Sequence, residues 1–341
     1  MEGAARVGEN TCVLLKARPV GVPGPEFFDV VTRPVAALQD GQFLVHNAYL
    51  SVDPAMRGWV NEAANYSPPV PVGAVMRANA VGEVVESRHA EYKVGDRVSG
   101  TFGWQRFAVS DGRNVMRTLA SGEEMSRALG VLGVQGLTAY FGLLDLCTPQ
   151  AGETVVVSTA AGSVGSCVGQ IAKLRGCRTV GITGGPDKVR QCAEEFGYDH
   201  AIDYKHSPDL DADLDACCPD GIDVYFDNTC GPTSDAVFRH LALGARITVC
   251  GTASVQEWDP VPDGPRVHRQ LLVARARMSG LLVHDFKDRF GEAVAQLTAW
   301  IDGGQIVSRE HVLAGIAQAP AALQMLYRGE NHGKLLVKVE R

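Results

Sequence analysis

Short apolar runs separated by glycine, proline and aspartate fill the first third of the chain. Val81-Gly-Glu-Val-Val-Glu86 and Phe107-Ala-Val-Ser110 have the β-branched and aromatic content of strands between turn residues. Lys93-Val-Gly-Asp-Arg-Val98 reads as a turn at Gly95-Asp96 followed by a resumed strand. Such spacing predicts a small, barrel-like β-rich domain up to about residue 125. Near Glu123 the pattern changes, and 123–146 mixes helical periodicity with glycines, predicting one or two helices. From Glu153 onward strand and helix patterns alternate. Strands are expected over 154–158, 178–182, 200–202, 224–226, 247–249 and 278–283, which points to an α/β, doubly wound parallel sheet. Residues 334–340 alternate again and form a last strand.

The strongest local pattern is Thr154-Val-Val-Val-Ser-Thr-Ala-Ala-Gly-Ser-Val-Gly165, a hydrophobic strand entering a small-residue turn and then a helix. The helix places Val164, Cys167, Val168, Ile171, Ala172 and Leu174 on one stripe, with Gly176 past its end. Gly162 lets a pyrophosphate approach the backbone, Ser163 and Val164 open the helix with unpaired N–H groups, and Gly165 permits close packing on the strand. The motif is T-x-x-G-x-x-G and not G-x-G-x-x-G, yet strand, loop and helix all favour dinucleotide binding over an empty glycine-rich turn.

Charge then selects the dinucleotide. An acidic residue about 20 positions past such a loop would grip a ribose 2′-hydroxyl. The next strand here ends in Ile182-Thr183 without a carboxylate, and Lys188, Arg190 and Tyr204-Lys205 follow. Cations and a phenol suit a 2′-phosphate, so NADP(H) is expected in preference to NAD(H). Asp187 beside Lys188 runs against this, and Lys188 has a competing reading as a solvated helix-start lysine.

Composition excludes several other roles. The 341 residues carry 32 Lys and Arg against 39 Asp and Glu, a net charge of −7 with no basic stretch for a nucleic-acid backbone. No apolar run is long enough for a membrane helix, and the first residues lack a secretory pattern, so a cytoplasmic protein is expected. The nine cysteines are odd in number, lie mostly in apolar runs and contain no C-x-x-C pair, which fits buried reduced thiols. The nine histidines show no metal-ligand spacing, so no metal site is expected. A nicotinamide enzyme without a metal must stabilise developing charge with hydrogen bonds. Reduction of a carbon–carbon double bond conjugated to a carbonyl meets that condition: hydride goes to the β-carbon, charge to the carbonyl oxygen, and a proton to the α-carbon.

Six segments in order resemble one family: Ser51-Val-Asp-Pro-Ala-Met-Arg57, Gly136-Leu-Thr-Ala-Tyr-Phe-Gly142, Gly162-Ser-Val-Gly-Ser166, Phe226-Asp-Asn-Thr-Cys-Gly231, Arg275-Ala-Arg-Met278 and Asn331-His-Gly-Lys334. The chain resembles the zinc-independent medium-chain dehydrogenases/reductases, within them the prostaglandin, alkenal double-bond and curcumin reductase group. The resemblance implies a GroES-like β-rich catalytic domain over 1–130, to which 305–341 return, and a Rossmann NADP-binding domain over 131–304. It implies NADP(H) held by Gly162, Ser163, Val164 and Gly165 at the pyrophosphate, by Lys188 and Tyr204 at the 2′-phosphate, and by Thr138 at the nicotinamide-side phosphate. Asn228 would line the cofactor groove near the switch point, and Cys250, Gly251, Thr252, Ala253, Gln256, Leu281, Leu282, Val283 and Asn331 would lie along its nicotinamide half. It also implies a homodimer and a small enone, alkenal or quinone substrate. A quinone oxidoreductase of the same superfamily and a catalytically silent NADP(H)-binding protein are the alternatives.

One departure bears on the chemistry. Many members of the family carry a tyrosine after the fifth strand, where this chain has Gln256, whose amide cannot act as a phenolic acid. Tyr66, in Asn65-Tyr-Ser-Pro-Pro69, is the candidate to hydrogen-bond the enone oxygen, the alternative being an aromatic packed under a surface loop. The aromatics of Thr101-Phe-Gly-Trp-Gln105 either wall the substrate site or pack in the core. Residues 256–269, including Trp258, form either a lid or a plain surface loop.

Overall fold

A computed structural model describes residues 8–62, 66–255 and 260–340. The chain divides into two compact units: 1–129 with 310–331 and 335–341, and 130–309 with 332–334.

The first unit begins with β1 (Glu9–Leu15), β2 (Phe28–Pro34), β3 (Phe43–Ser51), the short helix α1 (Met56–Val60), β4 (Ala80–Ser87), β5 (Arg97–Gly100), β6 (Phe107–Ser110) and β7 (Val115–Thr118). β1 and β2 form an antiparallel pair. Strands β3, β4, β5 and β7 run side by side in the main sheet, with β6 also on β3. Bends in the ladder come from bulges, as between Leu44 and Val45 of β3. The core gathers Phe43, Val45, Leu50, Met56, Met76, Phe102 and Trp104. Phe102 and Trp104 therefore do not wall a substrate site. Trp104 is fully buried, tilts on Phe28 at 5.6 Å between ring centroids, and donates its indole N–H to the Ser51 carbonyl at 3.0 Å. That bond meets the donor a buried indole needs, and so decides for the core.

A 3₁₀ turn (Met125–Leu129) closes the first stretch of the first unit, and the second unit opens with α2 (Val134–Phe141), which widens into a π-helical stretch over Gly142–Cys147. There follow β8 (Thr154–Ser158), α3 (Ser163–Leu174), β9 (Arg178–Thr183), α4 (Pro186–Glu194), β10 (His200–Asp203), α5 (Leu210–Cys217), β11 (Ile222–Asp227), α6 (Gly231–Val237), β12 (Leu241–Val249), α7 (His268–Ala274), β13 (Arg277–Gly280) and α8 (Phe290–Asp302). The chain then returns to the first unit as β14 (Glu310–Ala314), α9 (Ala319–Arg328) and β15 (Lys334–Lys338). Antiparallel pairing places Leu336 of β15 opposite Ser51 of β3.

The parallel sheet is ordered β10-β9-β8-β11-β12-β13. Numbered within the unit this is 3-2-1-4-5-6, the Rossmann order, whose direction reverses between β8 and β11. β8 lies at the centre with all five residues buried, which explains its unbroken valine run. Helix α3 buries Cys167, Val168, Ile171 and Ala172 against it, whereas Leu174, expected on the same stripe, is 36% exposed at the last turn.

The strand expected over 278–283 ends at Gly280. Its last partner is Val249, where β12 also ends, so the ladder stops there. One further amide, Leu281 N–H, reaches the Val249 carbonyl at 2.9 Å, and a 3₁₀ turn starts at Val283. Leu281 and Val283 are apolar because they pack in the core beside Phe226 and Ala293.

Candidate functional site at the sheet's switch point

Between β8 and α3 the chain turns at Thr159, whose φ is +53°. Ala160 N–H donates to Ile182 at 3.1 Å, and Gly162 N–H to Thr159 at 2.8 Å, tying the turn to β9 and to itself. A Cβ at Gly165 would stand 2.3 Å from the Thr159 carbonyl oxygen, and one at Gly162 would stand 2.9 Å from the Thr159 methyl. Both positions therefore require glycine. Gly162 is the extended N-cap of α3 and no side chain caps the helix. The first N–H groups of the helix, including those of Ser163, Val164 and Gly165, have no carbonyl in the preceding turn to bond. With the positive end of the helix dipole they form an anion-binding corner.

A second group of residues lies beyond the tips of β9 and β10. A Cβ at Gly184 would meet Lys205 Cε at 2.9 Å and the Tyr204 ring at 3.0 Å, so both side chains lean on that bare backbone. Asp203 Oδ1 accepts the N–H groups of Gly185 at 2.8 Å and Lys205 at 3.1 Å, and Oδ2 meets His206 Nδ1 at 2.8 Å. Burial works against ionisation of Asp203, but these bonds outweigh it and hold the carboxyl below its usual range. Lys188 is half-buried at the start of α4. Its pKa is lowered, first by burial and then by the charge of Lys205. Two ammonium groups near enough to repel each other favour a ligand of high negative charge. Arg190, named from the sequence as a further cation, is instead paired with Asp187 on the exposed face of α4. Lys205, one of the cations that follow Thr183 in the sequence, belongs to the group as well.

At the other side of the switch, Asn228 follows β11. Its N–H donates to Ser158 Oγ at 2.8 Å and its side-chain amide to the Ser158 carbonyl at 2.7 Å. The segment after β12 lies over this tip: Cys250 and Gly251 N–H groups reach the Asp227 carbonyl at 2.7 and 3.2 Å, and Ala253 N–H the Asn228 carbonyl at 3.4 Å. Thr252 and Ala253 are half-exposed to exposed in this loop. Leu281 packs its side chain toward Gly142, where an added Cβ would stand 2.6 Å from Leu281 Cδ2. Leu282 follows it, and Val283 is buried. Thr138, buried on α2, donates its hydroxyl to the Val134 carbonyl at 2.6 Å, leaving lone pairs but no spare proton. The structure thus gathers the 158–165 turn, Asn228 and 250–253 at adjoining strand tips, and places Lys188 and Tyr204 one strand over.

In the first unit, Tyr66 is 59% exposed, which removes the alternative of an aromatic packed under its loop. Arg77 holds that loop by donating to Ser67 Oγ at 2.7 Å and to the Pro68 carbonyl at 2.9 Å. The Arg57 guanidinium lies 5.3 Å from the centroid of the Tyr327 ring. Burial raises the Tyr327 pKa, opposed by Arg57 and reinforced by Tyr66 and Asp53, so these groups share one neighbourhood. Asn331 is buried in the same unit. Gln256 and Trp258 lie outside the described residues. Among the described residues, no three His, Cys, Asp or Glu side chains come together as a metal site.

A Rossmann sheet with an open helix N-terminus at its switch point and a pair of lysines one strand over is the architecture of a dinucleotide-binding fold. The family comparisons agree with this. An N-terminal oxidoreductase domain matches residues 11–118, and a domain family described as zinc-binding dehydrogenase matches 163–299. The NADPH-dependent curcumin reductase of Escherichia coli (strain K12) is 40% identical over 331 residues, 96% of each chain. Prostaglandin reductase 1 of Sus scrofa is 37% identical over 328 residues, 95% of this chain and 97% of the relative. The crystal structure of CurA in complex with NADPH from Vibrio vulnificus superposes with a TM-score of 0.92 at 40% identity, covering 97% of this chain and 99% of that one. The chain belongs to the medium-chain dehydrogenase/reductase family, in the group of the NADP-dependent prostaglandin, alkenal and curcumin reductases.

Proposed function

We propose that this chain reduces the carbon–carbon double bond of α,β-unsaturated ketones or aldehydes with NADPH. The observation that carries the reading is full-length similarity to enzymes named as curcumin and prostaglandin reductases. The first-turn amides of α3, from Ser163 to Gly165, would hold the pyrophosphate, where side chains are excluded. Lys188, Tyr204 and Lys205 would hold the 2′-phosphate. Thr138, Asn228, Cys250, Gly251, Thr252, Ala253, Gln256, Leu281, Leu282, Val283 and Asn331 would serve the nicotinamide half. The bound dinucleotide supplies the hydride. Tyr66 would donate its phenolic proton in a hydrogen bond to the carbonyl oxygen, where negative charge accumulates. On this reading 1–130 with 305–341 is the catalytic domain and 131–304 the cofactor domain.

The reading includes catalysis without zinc, in the cytoplasm, by a homodimer. The last has a physical candidate: β13 is the edge of the parallel sheet, all four of its residues are exposed, and Leu272 and Val273 on neighbouring α7 are 76% and 66% exposed. The deciding experiment is NADPH oxidation followed at its near-ultraviolet band with an alkenal, an enone and a quinone, with the products identified. Saturated carbonyl products bear the proposal out; turnover of quinones alone favours the quinone oxidoreductase reading, and tight NADPH binding without turnover of any compound favours a silent binding protein.

A further inference from the structure

Asp227, the last residue of β11, is 2% exposed and sits between the two halves of the parallel sheet. Its Oδ1 accepts four donors: Ser158 Oγ at 3.3 Å, Tyr225 Oη at 3.1 Å, Thr229 N–H at 3.0 Å and Cys230 N–H at 2.8 Å. Its Oδ2 accepts Ser234 Oγ at 2.7 Å. None of the five donors is a cation, so the carboxylate is held as an acceptor for neutral groups. Its own carbonyl takes Cys250 and Gly251 N–H.

Each of these bonds bears on the tip of the sheet. Ser158, which donates to the carboxylate, is the same residue that accepts Asn228 N–H. Thr229 and Cys230 form a turn in which Cys230 has φ +55° and ψ −164°, a conformation side-chain-bearing residues avoid. The two amide bonds to Oδ1 hold that turn in place. Ser254 then rests on it, donating N–H to the Thr229 carbonyl at 3.0 Å and Oγ to the Cys230 carbonyl at 2.9 Å. A Cβ at Gly231 would stand 2.6 Å from Ser254 Oγ. The 250–254 loop is thus seated on a turn that a single buried carboxylate shapes. Lys188, Tyr204 and Lys205 hang on a different anchor, Asp203.

We propose that Asp227 is a positioning residue for the nicotinamide half of the cofactor site, acting through Asn228 and the 250–253 loop and leaving the adenosine half untouched. The proposal rests on the assignment of those residues to NADPH made above. It is tested by calorimetric titration of wild type, Asp227→Ala and Asp227→Asn with two probes: NADPH, and adenosine 2′,5′-bisphosphate, which lacks the nicotinamide. Asp227→Ala is expected to weaken NADPH at least tenfold while changing the bisphosphate less than twofold. Asp227→Asn keeps an oxygen where Oδ1 stands, and Ser234 can turn its hydroxyl to accept the new N–H, so NADPH affinity should return to within about threefold of wild type. Unchanged NADPH affinity in Asp227→Ala, or equal losses of both probes, overturns the proposal. Should Asp227→Ala fail to fold, Ser158→Ala removes one donor to Oδ1 and the acceptor of Asn228 N–H, and must show the same selective loss or the proposal fails. Failure of the underlying assignment looks different: Asn228→Ala and Lys188→Ala would then both leave NADPH affinity unchanged.

Discussion

The hydroxyl of Tyr198 donates to the backbone carbonyl of Gly165 at 2.6 Å, in the first turn of α3. The tyrosine is 4% exposed, and its ring fills the space that a side chain at Gly169 would take. Burial, reinforced by Cys192 and Cys167, raises its pKa well above the ordinary phenol value, so at neutral pH it is a donor. One buried side chain thus fixes both the tilt and the depth of α3, two properties on which the N–H groups at Ser163–Gly165 depend.

Overfilling this contact should be costly. A Cβ at Gly169 would stand 2.1 Å from Tyr198 Cζ, and neither the helix nor the buried ring has room to retreat. Gly169→Ala is expected to lower stability by about 1–3 kcal/mol, read as a fall in the thermal midpoint. Tyr198→Phe, which keeps the ring and loses only the hydrogen bond, should cost about 1 kcal/mol. An unchanged midpoint in Gly169→Ala would mean that α3 is not packed as described.

Lys188 gives a pH signature. Burial and Lys205 lower its pKa, so its ammonium loses its proton at lower pH than an ordinary lysine near 10.4. The charged form is the one a 2′-phosphate needs. NADPH affinity should therefore hold at neutral pH and fall as pH rises through that lowered value, while NADH affinity stays flat. Lys188→Ala should raise the KM for NADPH at least tenfold and that for NADH little. Parallel changes for both coenzymes would remove Lys188 from the phosphate site.

Tyr66→Phe removes one hydroxyl from an exposed ring and leaves the loop held by Arg77. A hydrogen bond to a developing enolate is worth about 2–4 kcal/mol at the transition state. Turnover of an enone should drop at least tenfold with the KM for NADPH unchanged. Equal turnover in wild type and variant would exclude the phenol from the reaction.

All nine cysteines are free, and burial raises the pKa of every one, that of Cys167 and Cys192 to about 12 and that of Cys177 to about 11. Thiolate, the reactive form, is therefore scarce at pH 8. The native protein should react slowly with a disulfide reagent and show nine thiols once unfolded in denaturant. Rapid labelling of several thiols in the folded state would contradict this burial.

What the sequence determined by itself is local. The valine run of β8, the small residues at 159–165 and the stripe of α3 lie within one strand–turn–helix unit. Chain stiffness and the periods of 2 and 3.6 fix such a unit from neighbouring residues alone. The alternation of such units was enough to read a doubly wound parallel sheet, and the ordered motifs were enough to read the family. What only the tertiary structure decided depends on partners far apart in the chain. Trp104 went to the core because the Ser51 carbonyl receives its N–H. The strand after Arg277 stopped at Gly280 because β12 ran out beside it. Lys205 joined Lys188 because Asp203 ties the two strand ends together. Asp227 lies in the Phe226–Gly231 motif, but its partners were not legible there; its donors come from β8, from its own strand, from the turn before α6 and from α6 itself. Local pattern specifies which segments bury a face, but a buried polar atom must be satisfied by whatever the fold brings to it, and that pairing exists only once the strands are side by side.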